Sequence, residues 1–283
     1  MKKLTSVIFL LLFGFTLQAQ SKFEGRMVWI IQGGYIDSAQ AKEIKKTLSQ
    51  FNTTEGIQKL NQMEQQMSDP RFLKYMEENP GLKEQLEQTI RMIKTIQQHP
   101  EEDPMLIVMP KEMNMQMKDS MYYVKTEGGI SPMIGDVLRD STGKRYLVNV
   151  NEKIYSEYPV TPDTAAPKAK ITLTKEKQKI MNYDCKKYLI EVVLEGKKVT
   201  QEIWTTTKLK SFNSKVFSEL NIARSATGID YSKLKGVPLK VVLTTELKVT
   251  FTAVELKKEK INPVTFHVPK DFKETNYGKA GIK

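Results

Sequence analysis

One cysteine, two histidines and two tryptophans in 283 residues exclude several kinds of chemistry. The lone Cys185 has no partner for an internal disulfide, and a chain of this length can bury an adequate core without one. His99 and His267 leave little from which to build a zinc site or an imidazole base. No His-Glu-x-x-His, Gly-x-Ser-x-Gly, phosphate-binding loop or dinucleotide fingerprint occurs. Carboxylates are numerous but scattered, so no glycosidase-like pair stands out. A non-enzymatic protein without cofactor or metal is therefore expected. Past Phe15 no apolar run approaches the ~20 residues of a membrane-spanning helix.

What is present begins with a targeting pattern. Lys2 and Lys3 precede the apolar run Val7–Phe15, and Leu17-Gln18-Ala19 places a small residue before a cut. Residues 1–19 are expected to be a signal peptide cleaved near Ala19. No cysteine follows the cut, so a bacterial lipid anchor is not indicated. Charge is unevenly divided. The chain carries 44 Lys/Arg against 33 Asp/Glu, yet residues 38–104 hold nine basic and eleven acidic side chains. The basic excess thus lies outside that segment. An exported chain is not expected to meet nucleic acid. The excess suits an anionic membrane surface or an acidic envelope protein, and equally simple solubility.

The period of the apolar residues changes near Pro104. Before it, Ala41, Ile44, Leu48 and Phe51 follow helical spacing, as do Ile57, Leu60, Met63 and Met67, and then Leu82, Leu86, Ile90, Ile93 and Ile96. Asp69-Pro70 and Asn79-Pro80 each place a capping residue before a proline at the first helical position. Three or four helices over residues 38–104 are predicted. Phe23–Ile31 and most of the chain beyond Met105 alternate like strands, broken by turn residues at Gly128-Gly129, Asp140–Gly143, Asn151-Glu152 and Glu195-Gly196. A Pro-rich connection is expected over 156–168. Strands are expected at Lys170–Thr174, Cys185–Leu194, Lys198–Thr205, Leu239–Thr245 and Lys248–Leu256, with a short closing strand at Val264–Val268 containing His267. Ser211–Ile222 reads as a crossing helix. Helical sequence is thus inserted one strand into a β protein.

Six of the fourteen methionines lie between Met105 and Met121. On a strand, Met113, Met115 and Met117 share one face. Three readings stand side by side: core packing, the lining of an apolar ligand cavity suited to flexible, polarisable side chains, and a thioether site for Cu(I). Trp29 and Trp204 read as core anchors, and Cys185 as a small buried hydrophobe.

Several of these stretches resemble an uncharacterised family of exported bacterial proteins. They are Phe23-Glu24-Gly25, the helical run with its Asn79-Pro80 break and Met-rich sequel, Tyr183-Asp184-Cys185-Lys186-Lys187-Tyr188 and Glu202-Ile203-Trp204-Thr205-Thr206. The ending adds Gly236-Val237-Pro238-Leu239, Val249–Leu256 and Phe266-His267-Val268-Pro269-Lys270-Asp271-Phe272. That family is similar to the periplasmic lipoprotein carriers LolA and LolB. The resemblance implies a mainly β (α+β) fold: a curved antiparallel sheet forming an incomplete barrel, with residues 20–283 as one domain bearing the helical insertion 38–104. Taken with the methionine stripe and the basic excess, it leads to the expectation of a periplasmic protein that binds a lipid or lipoprotein acyl chain in a concave β face, with Met113, Met115 and Met117 helping to line it. The alternative is an envelope interaction protein that docks through its amphipathic helices.

Overall fold

The computed structural model describes residues 23–78, 80–129, 135–157, 169–194, 197–212, 216–217, 234–245 and 247–275. The expected signal peptide, residues 158–168 of the Pro-rich connection, the Asn79 cap, the Glu195-Gly196 turn and most of the expected crossing helix lie outside them.

Alternating sequence pairs into one sheet of twelve strands. They are β1 (Glu24–Tyr35), β2 (Glu112–Lys118), β3 (Met121–Glu127), β4 (Asp136–Arg139), β5 (Arg145–Asn149) and β6 (Ile154–Glu157), then β7 (Lys170–Ile180), β8 (Tyr183–Leu194), β9 (Lys197–Thr206), β10 (Val237–Thr244), β11 (Leu247–Lys258) and β12 (Lys273–Glu274). Their order is β12-β6-β5-β4-β3-β2-β1-β11-β10-β9-β8-β7. The sheet is curved and unclosed, and its pairs are antiparallel except that of β12 with β6. The protein is mainly β, as expected. Tight turns set the register. Asp119 has φ 57° between β2 and β3, and Met181 and Asn182 have φ 48° and 65° between β7 and β8. Positive φ at a two-residue loop matches the twist of the strands it joins.

β1 lies near the middle of the sheet, between β2 and β11. Met27 faces Met115 across one seam and Leu256 across the other, while Trp29 faces Met113. In β2 burial alternates at every residue, with the three methionines inside and Glu112, Asn114, Gln116 and Lys118 half-buried. Fully burying one such side chain contributes about 1.5–3 kcal/mol, so this central seam anchors the core.

The helical excursion joins β1 to its neighbour β2. It comprises α1 (Ser38–Ser49), a 3-10 turn at Gln50–Asn52, α2 (Thr54–Met67), α3 (Pro70–Glu78), α4 (Pro80–Gln98) and α5 (Pro104–Val108). Side-chain oxygens cap the first three helices. Asp37 accepts from the Gln40 N–H at 2.8 Å, Thr53 from Gly56 at 3.1 Å and Asp69 from Arg71 at 2.8 Å. Leu60, Ile90 and Ile93 form a separate small core with Phe51, Met63 and Met67. Pro104 does not end the helical segment. It opens α5, because Asp103 supplies the carbonyl that accepts the Leu106 and Ile107 N–H groups, and proline at a first helical position has no N–H to lose.

The expected strand at Val264–Val268 is not one. Pro263–Phe266 is a 3-10 turn, capped where Asn262 accepts the Val264 N–H at 3.1 Å. His267 therefore ends this turn rather than sitting in an edge strand. The closing strand is β12, further along the chain.

Candidate functional site

The sequence-predicted methionines come together in the main core. Met113, Met115 and Met117 are buried with Met27, Trp29, Tyr122 and Val124. None of the four described pockets is lined by them. The apolar face they belong to continues through Phe251 on β11, Leu239 and Val241 on β10, Ile203 on β9 and Ile190 on β8. Phe212, Val216, Phe217 and Leu234, from the segment between β9 and β10, pack against this same core. Phe212 stacks on Phe217 at 5.5 Å between ring centroids. Phe217 and Trp29 form a T-shaped pair with ring centroids 5.7 Å apart, and those of Phe23 and Phe212 are 5.1 Å apart. In this aromatic cluster the Trp29 Nε1–H is buried and has no hydrogen-bond partner among the described residues. Leaving a buried donor unpaired costs about 1–3 kcal/mol, so the indole is a polar point in an apolar layer.

Cys185 is buried, as its surroundings in sequence suggested. Burial first, and then the neighbouring Asp184 charge, pushes its thiol up to about 11. A thiol of that kind is neither a ready nucleophile nor a ready metal ligand. Among the described residues no group of three or more His, Cys, Asp or Glu converges as a metal site. On the other face of the sheet, Lys187 is held by Glu176 at 3.1 Å and Glu202 at 3.0 Å, over the Trp204 ring at 5.7 Å. Beside it, a groove of about 350 Å³ crosses β9–β11, and its Lys240 and Lys248 have no ion-pair partner among the described residues.

A second site, which the sequence did not disclose, opens at one end of β3, β4 and β5. Its cavity is about 450 Å³ and is lined by Tyr123, Lys125, Glu127, Asp136 and Asn149 among others. Antiparallel pairing builds it. Tyr123 faces Leu138, and Asp136 faces Val148, which brings the phenol and the carboxyl to neighbouring positions. The Tyr123 hydroxyl donates to Asp136 Oδ2. Asp136 is 7% exposed. Burial raises its carboxyl above the ordinary range, against the opposing pull of Tyr123 and Lys125. Burial and the carboxylate likewise raise the Tyr123 phenol. Lys125 pairs with Glu127 at 2.8 Å. Asn149 is 2% exposed, and its Oδ1 accepts the N–H groups of Asn151 and Glu152, both at 3.1 Å. The helical insertion reaches this end of the sheet, where Arg91 of α4 meets Glu152 at 2.9 Å. The readable signal was weak: an aspartate at the head of a strand and an asparagine at the tail of the next.

Fold and sites define a class, an open antiparallel-sheet protein with a helical excursion between two central strands. Within it, the chain belongs to the family described as a domain of unknown function (DUF4412), which matches residues 87–272. The matched range opens inside α4 and so leaves out β1, although β1 is a central strand of the sheet. No curated protein and no solved structure matches the chain.

Proposed function

We propose that this is an exported, non-enzymatic protein of the periplasm that takes an apolar chain, a lipid or lipoprotein acyl chain, against the apolar face of its sheet. The observation that carries this reading is the aromatic cluster on that face, in which the buried Trp29 Nε1–H has no partner among the described residues. An acyl chain displacing Phe212 and Phe217 would replace apolar contact with apolar contact, and its ester or carboxyl oxygen would give the indole an acceptor. Met113, Met115 and Met117 would then line the opened cavity, where flexible thioethers suit varied apolar shapes. An unclosed, curved antiparallel sheet is also what a LolA-like carrier fold would require. The unpaired Lys240 and Lys248 would favour approach to anionic lipid headgroups.

Mass spectrometry of organic extracts from natively purified protein tests the reading, together with uptake of a fluorescent fatty acid. A co-purifying lipid, or saturable uptake with a change in Trp29 emission, is expected. A clean extract combined with no uptake would overturn it.

One observation favours a second reading, docking through the helices. Leu73 and Tyr75 of α3 are 40% and 51% exposed. Phe72 and Tyr75 border an open cavity of about 600 Å³ with Asp69 and Arg71. Loss of envelope crosslinks in Leu73→Glu, with lipid uptake unchanged, would favour docking over carriage.

A further inference from the structure

Lysines crowd one end of the β7–β8 hairpin. Across that pair Lys177 stands directly opposite Lys186, and Lys179 opposite Asp184. Opposed residues share a face of a sheet, as do alternate residues along a strand, so these four side chains project together. Lys208 joins them, reaching Asp184 Oδ2 at 2.7 Å. Lys235 stands beside them. Its carbonyl accepts from the Thr205 hydroxyl at 2.8 Å, and Thr205 is the β9 residue opposite Lys186. All five lysines are exposed. The acid that answers them is Asp184, which Lys208 already occupies. Lys208 first, and then Lys179 and Lys177, hold its carboxyl below the ordinary range. The one glutamate of β7, Glu176, turns to the other face, where it holds Lys187.

This arrangement costs stability. Like charges directly opposite one another on two strands repel, and Lys177 and Lys186 have no ion-pair partner among the described residues. β7 is an edge strand, and lysine on an edge deters pairing with other chains. That accounts for Lys177 and Lys179. It does not account for Lys186, Lys208 and Lys235, which lie off the edge. A face of this charge is complementary to a surface of fixed negative charge, and composition decides which. Protein interfaces are enriched in arginine and aromatic rings and depleted of lysine. Among the described residues this face has no arginine and no exposed aromatic ring. Phosphodiester headgroups need neither. They attract lysines as flexible point charges.

We infer that the lysine face of the β7–β8 hairpin, built by Lys177, Lys179, Lys186, Lys208 and Lys235, is the surface that docks on an anionic phospholipid bilayer. The inference rests on the proposed encounter with membrane lipid, but acyl uptake plays no part in it.

Cosedimentation of the full mature chain with vesicles tests it. Vesicles of phosphatidylcholine alone are compared with vesicles that also contain phosphatidylglycerol, and a poly-glutamate peptide is the acidic-protein comparator. Sedimentation with the phosphatidylglycerol vesicles and not with phosphatidylcholine alone is expected. Each lysine near an anionic surface contributes about fivefold in affinity, so the triple variant Lys177→Gln, Lys179→Gln, Lys186→Gln is expected to weaken binding on the order of a hundredfold. The comparator Lys42→Gln, Lys46→Gln, Lys74→Gln removes the same charge from exposed positions of the helical insertion. That insertion attaches at β1, which four strands separate from β7. At ~4.8 Å per strand this spacing exceeds the ~10 Å screening length of 0.1 M salt, so the comparator should weaken binding less than about threefold. Thermal melts verify each fold. No preference for phosphatidylglycerol, equal losses in the two triple variants, or tighter binding to poly-glutamate than to the vesicles would overturn the assignment. Fluorescent fatty-acid uptake is measured alongside. Uptake without vesicle binding would sink the docking face alone, and vesicle binding without uptake would count against carriage alone.

Discussion

Met115 is fully enclosed between Met27 on one neighbouring strand and Val124 on the other. Truncation there leaves a cavity that the sheet backbone cannot close. Met115→Ala is expected to destabilise the protein by about 2–5 kcal/mol, and Met115→Leu by less than about 1.5 kcal/mol. Urea unfolding measures both, and a small loss for the alanine variant would mean that the stripe is loosely packed, as an open cavity requires. Asp136 gives a pH signature. The folded carboxyl holds its proton more tightly than the unfolded one, so its contribution to stability is present below the ordinary Asp value of about 4 and is lost as pH rises through the raised value. Asp136→Asn is therefore expected to raise the melting temperature at neutral pH, with the gain shrinking as pH falls toward 4. A gain that is constant across pH, or that grows in acid, would contradict the burial argument. At this scale sequence could align Met113, Met115 and Met117 on one face, because strand period alone does so. It could not tell a packed face from an open one.

A polar latch fixes the helical insertion to the end of β1. The Tyr35 hydroxyl donates to Asp103 Oδ1 at 2.6 Å, and Lys45 of α1 meets Oδ2 at 2.8 Å. Burial, then Asp103, raises the Tyr35 phenol. Close packing adds to the latch, since Gly33 of β1 lies so near Met109 that a Cβ would fall 1.9 Å from its sulfur. Asp103→Ala removes a charge-assisted hydrogen bond, typically about 1.5–3 kcal/mol, and a half-exposed ion pair, typically no more than about 1 kcal/mol. Faster hydrogen exchange in α1 and α5, with β1 and β2 unchanged, is expected by mass spectrometry. Equal loosening of the strands would show that the latch serves the sheet rather than the helices. The helices themselves were legible because caps and 3.6-residue spacing are local. The sequence Val264–Val268 reads as a strand because its five alternating residues fit either pattern, and the Asn262 cap with Pro263 decides for a 3-10 turn at Pro263–Phe266.

The whole molecule divides into a sheet with one core and a helical layer with another. Its main contacts with the sheet run through α1 and α5 at β1. β1 and β2 are hydrogen-bonded neighbours on their own, with Ile30 opposite Glu112. Replacing residues 36–109 by a short Asn-Gly hairpin is therefore expected to remove the helical circular dichroism and keep a cooperative sheet. Loss of the cooperative melt would place the helices in the main folding unit. Salt responds at this scale too. Binding to anionic vesicles, if it follows the basic excess, should fall as ionic strength shortens the ~10 Å screening length of 0.1 M salt. The sequence by itself determined the mainly β class, the helical insertion after one strand, the uneven charge and the absence of recognisable catalytic signatures, because period, composition and motifs are properties of short stretches. Only the tertiary structure decided that β1 lies at the sheet's centre, that the methionine stripe is packed against Met27 and Trp29, and that Asp136 and Asn149 share a cavity. Each of those depends on pairing between residues far apart in the chain, and no local pattern specifies which strands become neighbours.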